Sequence, residues 1–170
     1  MFKELNELKE FLEKPNKKIH VRGYAKCIKV TPATASKILK IFAEKNILER
    51  EEIQNIHFYK LKNNQLTRDL KIFYNIQKIR QIIPQLNEFF GKPTIVLFGS
   101  TSKGEDVEES DIDIYIESEI TKTQNTQELE KIIGKTLQLF IYKKITAIPN
   151  KHLQHNILNG IVLQGEITWK

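Results

Sequence analysis

The stretch TIVLFGSTSKGEDVEESDIDIYI, residues 94–116, decides the fold of the C-terminal half of this chain. Its first part, residues 95–98, is a short apolar run with β-branched residues, and such a run predicts a buried strand. Gly99 ends that strand, and the small polar residues after it can offer backbone N–H groups and hydroxyls to a phosphate. The chain then returns as a second strand, in which Asp111 and Asp113 alternate and therefore share one face.

The two aspartates predict a metal site. Ionised carboxylates held side by side repel each other unless a cation lies between them. Mg²⁺ prefers hard oxygen ligands, usually takes one or two carboxylates, and completes its coordination with water and substrate phosphates. We therefore expect Asp111 and Asp113 to hold Mg²⁺, or Mn²⁺, next to a phosphate cradle formed by Gly99 and Ser100.

The order and spacing of these motifs resemble the DNA polymerase beta-like nucleotidyltransferases, in particular the group called minimal nucleotidyltransferases. Gly99-Ser100 is followed by ten residues and then by Asp111-Ile112-Asp113, and the resemblance extends from about Pro93 to the C-terminus. It implies that ATP or another nucleoside triphosphate loses pyrophosphate while its nucleotidyl group passes to an acceptor hydroxyl or similar group. It also implies that Gly99, Ser100 and Ser110 bind the nucleotide, and that Asp111 and Asp113 are catalytic metal ligands.

One position departs from the family pattern. Members of this family carry a third carboxylate on a later strand, where it binds metal and acts as base for the acceptor hydroxyl. Here a strand is predicted over residues 137–142, and Gln138 aligns with that acid. An amide is neutral and takes no proton at this pH. Three alternatives follow: a weak or unusual transferase, a site that binds nucleotide without turnover, or a third acid supplied by another region or chain.

Composition sets the broad class of the protein. A chain of 170 residues can form one domain or two small ones, and 40% hydrophobic residues argue against disorder. No apolar segment approaches the roughly 20 residues needed to cross a bilayer, and the N-terminal residues are charged rather than signal-like. We therefore expect a soluble, cytoplasmic protein without membrane contact. The single cysteine, Cys27, excludes an internal disulfide and is predicted to be a buried apolar residue.

Positive charge is concentrated in the first half of the chain. Residues 1–90 contain 18 Lys or Arg against 10 Asp or Glu, whereas residues 91–170 contain 9 against 11. Such asymmetry indicates two modules, the first of which meets a polyanion. The alternative is that the lysines only keep the surface soluble.

The N-terminal region predicts three helices and a hairpin. Apolar residues recur at helical spacing, and Thr31-Pro32 combines an N-cap residue with proline in the first turn. In order, the predicted elements are a helix ending at Pro15, a helix over residues 19–27, a helix from Thr31 to Asn46, and strands over residues 47–50 and 57–61 joined near Gln54-Asn55.

This order resembles the winged helix-turn-helix regulators of archaea and bacteria. The resemblance implies that the third helix enters the major groove of double-stranded DNA and that the hairpin wing touches the backbone. Arg22, Lys37 and Lys40 are interpreted as phosphate contacts, which position a protein without reading sequence. The alternative is a protein-contact or dimerisation module. The full set of candidate DNA contacts is Arg22, Thr34, Ser36, Lys37, Lys40, Arg50 and Lys60.

A helical apolar pattern joins the two modules over residues 64–90, with an interruption or kink predicted at Pro84. This helix packs within its own chain or against its copy in a homodimer. The predicted fold is thus α+β, with a winged helix-turn-helix over 1–63, a connecting helix over 64–90 and a small mixed-sheet nucleotidyltransferase domain over 91–170.

Two functions follow from this organisation. The first is an Mg²⁺-dependent nucleotidyltransferase with a protein or nucleic-acid acceptor, coupled to a winged helix that binds DNA. The second is a DNA-binding transcriptional regulator whose transferase-like domain binds nucleotide or dimerises without catalysis, as Gln138 would favour. Related small transferases act as antitoxins that nucleotidylate a toxin, which makes a toxin a candidate partner.

Overall fold

The computed structural model of the chain describes residues 2–122 and 125–168. It shows the predicted α+β class and divides by its contacts into two units, Met1–Leu70 and Lys71–Lys170. The boundary falls inside a helix, α4 (Gln65–Ile79). The finer division at residues 63 and 90 stays a prediction. Among the helices of the described ranges, none is both long and apolar enough to cross a bilayer.

From residue 2 to the start of α4, the N-terminal unit forms three helices and a three-stranded antiparallel sheet of order β1-β3-β2. The hairpin turn lies at Gln54 and Asn55, as predicted, and both residues have positive φ angles of 50° and 62°. In chain order the elements are α1 (Phe2–Glu13), β1 (Ile19–His20), α2 (Val21–Cys27), α3 (Pro32–Glu44), β2 (Leu48–Ile53) and β3 (Ile56–Leu61).

The start of α3 is as predicted, whereas the start of α2 is not. Thr31 caps α3, since its hydroxyl accepts the N–H of Thr34. The second helix begins at Val21 rather than at Ile19, because Ile19 and His20 pair with β3 as a short strand. The His20 ring then caps α2, its Nδ1 accepting the Gly23 N–H at 2.8 Å. Cys27 is exposed, so its predicted burial was wrong.

The C-terminal unit is built on a four-stranded mixed sheet of order β6-β5-β4-β7. Strands β5 and β6 are parallel, and the other two pairs are antiparallel, in agreement with the predicted mixed sheet. After α4 the elements are α5 (Ile83–Phe90), β4 (Thr94–Phe98), α6 (Gly99–Ser102), β5 (Ile112–Glu117), α7 (Gln127–Ile133), β6 (Leu137–Tyr142), a 3₁₀ turn (Ile145–Ala147), α8 (Lys151–Leu158) and β7 (Ile161–Gln164).

Alternation along the strands sends side chains into two separate cores. On one face, Ile112 and Ile114 pack in a cluster with Leu86 and other residues of α4, α5 and α7. On the opposite face, Tyr115 packs in a cluster that includes Ile157 of α8. Because side chains two residues apart share a face, Asp113 lies on the Tyr115 side, at the end of that second core.

The connecting region is two helices rather than one. The interruption falls at residues 80–82, just before the predicted position at Pro84. Pro84 lies in the first turn of α5, where a missing backbone N–H removes no helical hydrogen bond. Ile79, Ile82 and Leu86 are fully buried in the first core, so residues 79–86 pack within the C-terminal unit.

Gly160 follows Asn159, the C-cap residue of α8, and is not among the residues with positive φ. A Cβ at this position would overlap the Leu97 carbonyl oxygen and the Val96 side chain. Gly160 therefore lets the chain approach β4 closely before it continues as β7, a strand that the sequence did not predict.

A buried ionic cluster supports the loop between α6 and β5. The Asp106 carboxylate is 2% exposed and lies 3.2 Å from Lys71 Nζ and 2.9 Å from Lys135 Nζ. Asn75 Nδ2 donates to the same carboxylate at 3.0 Å. Burial lowers the pKa of the Lys71 ammonium, and the charge of Asp106 opposes that effect. The carboxylate is therefore the counterion of two lysines that are themselves withdrawn from water.

Replacing Asp106 with alanine should destabilise the C-terminal unit strongly. The substitution leaves Lys71 and Lys135 without their shared counterion, and removing one partner of a buried ion pair costs about 3–5 kcal/mol. Urea unfolding followed by circular dichroism measures the loss. Glu109→Ala, at an exposed position of the same loop, should stay within about 0.5 kcal/mol of the parent. Equal unfolding midpoints for the two variants would contradict a stabilising role for Asp106.

Candidate functional site

The site is organised around the turn that ends β4. Gly99 opens the four-residue helix α6 with a φ of 73°, a conformation that favours glycine. A Cβ on Gly99 would also overlap Asp113 Oδ2. Two independent constraints therefore disfavour a side chain here, and the carboxylate of Asp113 lies directly against the turn.

The two predicted aspartates are brought together as the sequence indicated. Asp111 immediately precedes β5 and Asp113 is its second residue, and both are partly exposed. Burial and the negative charge of Asp111 raise the pKa of the Asp113 carboxyl above its usual range. Ionising both groups is thus costly in the protein alone, and a bound cation would remove that cost.

Gln138 lies beside both carboxylates. Strand β6 spans Leu137–Tyr142, as predicted, and its parallel register places Gln138 opposite Asp113. The amide Nε2 of Gln138 donates a hydrogen bond of 2.7 Å to Asp111 Oδ2. The position predicted for a third acid is therefore occupied by a neutral donor that binds one of the two carboxylates.

The two carboxylates suit an Mg²⁺ ion that is partly coordinated by substrate phosphates. They are too few to hold a metal ion with protein ligands alone. Two carboxylates are the hard oxygen ligands that Mg²⁺ takes when substrate phosphates complete its coordination. Over residues 2–122 and 125–168, no group of three or more His, Cys, Asp or Glu side chains is arranged to hold a metal ion. Asp111 and Asp113 would hold Mg²⁺ together with phosphate oxygens of a nucleotide.

The two predicted serines have different surroundings. Ser100 is the second residue of α6, next to Gly99, and is partly exposed. The Ser110 hydroxyl accepts the backbone N–H of Val107 at 2.8 Å, so that it shapes the loop before Asp111. Its own hydroxyl hydrogen can still be donated to a ligand. Ser100 thus lies at the turn, and Ser110 beside the first aspartate.

Several supporting residues were not predicted from the sequence. Thr101 Oγ1 donates to the Asp111 carbonyl at 3.3 Å, and Asn75 Nδ2 lies 3.5 Å from the Thr101 carbonyl. Asn75 and Lys71 are buried although they are polar. They stand four and eight residues before the buried Ile79, on its helical face. Their position on the apolar face of the helix was the feature of the sequence that could have predicted their burial.

The candidate DNA contacts all lie in the N-terminal unit, on two kinds of surface. Arg22 on α2, with Lys37 and Lys40 on α3, is exposed. Thr34 is exposed in the first turn of α3, its Oγ1 3.0 Å from that of Thr31, and Ser36 is partly exposed. Charge is uneven along the unit: residues 21–47 contain six Lys or Arg and one acid.

The hairpin is less basic than the helices. Residues 48–61 contain two basic residues and three glutamates. Lys60 Nζ lies 2.7 Å from Glu49 Oε1, and Arg50 Nη2 lies 2.6 Å from Nε2 of His57. Both predicted wing cations are therefore already engaged by neighbouring side chains, in contrast to the exposed cations of α2 and α3.

Comparison with known proteins identifies the C-terminal part of the chain. Residues 76–162, just over half of the sequence, match the family model described as a nucleotidyltransferase domain. The structure of a possible transcriptional regulator from Methanosarcina mazei Go1 is similar at 22% sequence identity and a TM-score of 0.36, over 52% of this chain and 78% of that chain. No curated protein matches. The matched segment contains the Gly99 turn, both aspartates and Gln138, and the chain belongs to the nucleotidyltransferase domain family.

Proposed function

We propose that the C-terminal unit is an Mg²⁺-dependent nucleotidyltransferase that uses a nucleoside triphosphate. The observation that carries this proposal is the pair Asp111 and Asp113, held against the turn at Gly99 with an unfavourable charge interaction between them. Family membership supports a nucleoside triphosphate as substrate. A carboxylate pair that close to a glycine turn suits a triphosphate bound together with a divalent cation.

Each residue of the site would have a separate task. The absence of a side chain at Gly99 leaves room for Asp113 and lets the phosphates approach the backbone of α6. Ser100 and Ser110 would donate hydroxyl hydrogens to phosphate oxygens. Asp111 and Asp113 would hold Mg²⁺ at the reacting phosphate, where the ion neutralises developing negative charge. Gln138 would fix the orientation of Asp111 through its hydrogen bond.

We further propose that the N-terminal unit is a winged helix-turn-helix that binds double-stranded DNA. The exposed cations of α2 and α3 support this reading, since neutralising phosphates supplies most of non-specific DNA affinity. The wing would contribute less, because Arg50 and Lys60 are engaged by His57 and Glu49. DNA binding would bring a nucleic-acid acceptor to the transferase or tie its activity to a promoter.

A regulator without catalysis is the second candidate function. The neutral amide of Gln138 next to Asp111 favours it, since an amide accepts no proton. The domain would then bind nucleotide, or dimerise, while the N-terminal unit binds DNA. Cytoplasmic location, a protein acceptor such as a toxin, and a homodimer are compatible with either function and stay predictions.

Transfer of label from nucleotide to acceptor tests the transferase proposal directly. Incubation with each α-³²P-labelled nucleoside triphosphate, Mg²⁺ or Mn²⁺, and a lysate of the source cell should label an acceptor. The variant Asp111→Asn/Asp113→Asn should label nothing. Absence of label with the unsubstituted protein, combined with retained nucleotide binding, would favour the regulator.

The same double variant should separate ligand binding from stability. Affinity for the Mg²⁺-nucleotide complex should fall at least about tenfold, because both carboxylate ligands are removed.

Without metal the variant should melt at a higher temperature than the parent at neutral pH. The raised pKa of Asp113 means that its ionised form opposes folding, and this cost appears as pH rises through that pKa. Calorimetric titration and thermal melting measure the two effects; unchanged Mg²⁺-dependent binding would disprove the site.

Gly99→Ala should weaken nucleotide binding by more than the strain of a left-handed backbone alone would cause. Gly91 has a similar φ of 69°, but a Cβ there meets nothing within 4 Å, which makes Gly91→Ala a matched control. Left-handed backbone strain of about 1–2 kcal/mol is common to both variants. Only Gly99→Ala should also displace Asp113 and weaken Mg²⁺-nucleotide binding about tenfold or more, a loss of about 1.4 kcal/mol. Titration measures the nucleotide affinities of the two variants. Equal affinities would show that the close contact between Gly99 and the Asp113 carboxylate does not matter for nucleotide binding.

Lys37→Ala/Lys40→Ala should weaken DNA binding and reduce its dependence on salt. Removing one lysine that binds a phosphate lowers the slope of log affinity against log salt by about one, so the double variant should lower it by about two. Lys60→Ala should change the slope less, because Lys60 is paired with Glu49. Fluorescence anisotropy with a duplex at several salt concentrations measures these slopes. A larger effect from Lys60 than from the helix lysines would move the proposed surface to the hairpin.

A further inference from the structure

We propose that the acceptor of the transfer reaction is the phosphate of a phosphate monoester, rather than a hydroxyl. This inference rests on the proposed transferase function and names the substrate class of the same site. Its basis is the arrangement of Gln138, Asp111 and Asp113, in which the side chain next to the carboxylate pair is a neutral amide donor.

The three side chains that define the site, Asp111, Asp113 and Gln138, offer no free base for a hydroxyl. Asp111 and Asp113 would be committed to the metal, and Asp111 Oδ2 already accepts the Gln138 amide. Gln138 itself cannot take a proton. Within the described ranges the pair is not extended by a third His, Cys, Asp or Glu into a metal-binding group. Attack by a hydroxyl normally needs a base to remove its proton in the transition state.

A phosphate monoester removes that requirement. Its second ionisation has a pKa near 6, so at neutral pH it carries unprotonated anionic oxygens. One such oxygen would attack the α-phosphorus of the nucleoside triphosphate and form a new P–O bond. The bond from the α-phosphorus to the bridging oxygen breaks, and pyrophosphate leaves with the electron pair. No proton is transferred, and one phosphoanhydride bond replaces another.

The charge and hydrogen-bonding pattern of the site also favour an anionic acceptor. A glutamate at position 138 would place a third negative charge beside Asp111 and Asp113 and repel an incoming phosphate. The Gln138 amide adds no charge. It carries two N–H hydrogens, one of which is donated to Asp111, and the residue is exposed. The other hydrogen can be donated to an oxygen of the acceptor phosphate.

The acceptor phosphate could belong to a free nucleotide or to the end of a nucleic acid. Matched pairs of acceptors show whether the attacking group is a phosphate or a hydroxyl, and which kind of molecule carries it. One pair is an oligodeoxynucleotide with a blocked dideoxy 3′ end that carries either a 5′-phosphate or a 5′-hydroxyl. A second pair, with a blocked 5′ end, carries a 3′-phosphate or a 3′-hydroxyl. A third pair is a nucleoside monophosphate and its nucleoside.

The full chain, Mg²⁺ and α-³²P-labelled nucleoside triphosphate are incubated with each acceptor, and labelled product and pyrophosphate are measured. We expect the phosphate member of at least one pair to be labelled at least about tenfold faster than its hydroxyl member, and the responding pair identifies the source. Equal or faster labelling of the hydroxyl members would overturn the inference and leave the transferase proposal standing. Labelling of no acceptor, including those in the lysate, would overturn both.

Gln138→Glu provides a test of opposite sign in the same assay. The glutamate restores a base, a contribution typically worth about 10²–10⁴-fold in rate, so labelling of the hydroxyl acceptors should rise. Labelling of the phosphate acceptors should fall, because the added charge repels them. Binding of the phosphate oligodeoxynucleotide, measured by titration without nucleotide, should weaken in parallel. A variant that favours phosphate acceptors as strongly as the parent would show that position 138 does not select the acceptor.

Discussion

The central constraint of this structure is the repulsion between Asp111 and Asp113, which the fold holds close together and partly out of water. Folding alone would avoid such a pair, and here it is enforced by three features. Strand β5 places Asp113 directly against Gly99, in space that a side chain at that position would fill. Thr101 donates a hydrogen bond to the backbone carbonyl of Asp111, and Gln138 donates one to its carboxylate. The C-terminal unit thus keeps a carboxylate pair whose repulsion lowers its stability, and the cation of the proposed function would relieve that repulsion.

The loop that leads to the repelling aspartates is held firmly in place by a buried ionic cluster. The segment between the turn and the aspartates contains Asp106, whose buried carboxylate binds two lysines from separate elements. Lys71 comes from α4 and Lys135 from the turn before β6, so that one carboxylate joins a helix and two loops. These ion pairs, with the hydrogen bond from Asn75, fix the position of the loop. Such geometry is what the adjacent carboxylates require.

Much of this arrangement follows from local sequence pattern. The strand before Gly99, the alternation of Asp111 and Asp113, and the strand carrying Gln138 are local features and were predicted. Several features that were not predicted depend on partners distant in sequence. Ile19 forms a strand only because β3 lies beside it, and Gly160 is needed only because β4 passes close by. Lys71 was not singled out from the sequence, since its partner Asp106 is 35 residues away.

The position of Gln138 has a consequence for how such a protein can change over evolution. Strand β6 lies at one edge of the sheet, and Gln138 is exposed on it. Glutamine and glutamate have nearly the same shape, and their codons differ by a single base. Exchange between them would leave packing, register and both hydrophobic cores intact. Under the acceptor selection proposed for position 138, a lineage could therefore alternate between acceptor chemistries without passing through an unstable intermediate, because this position is separate from the residues that stabilise the fold.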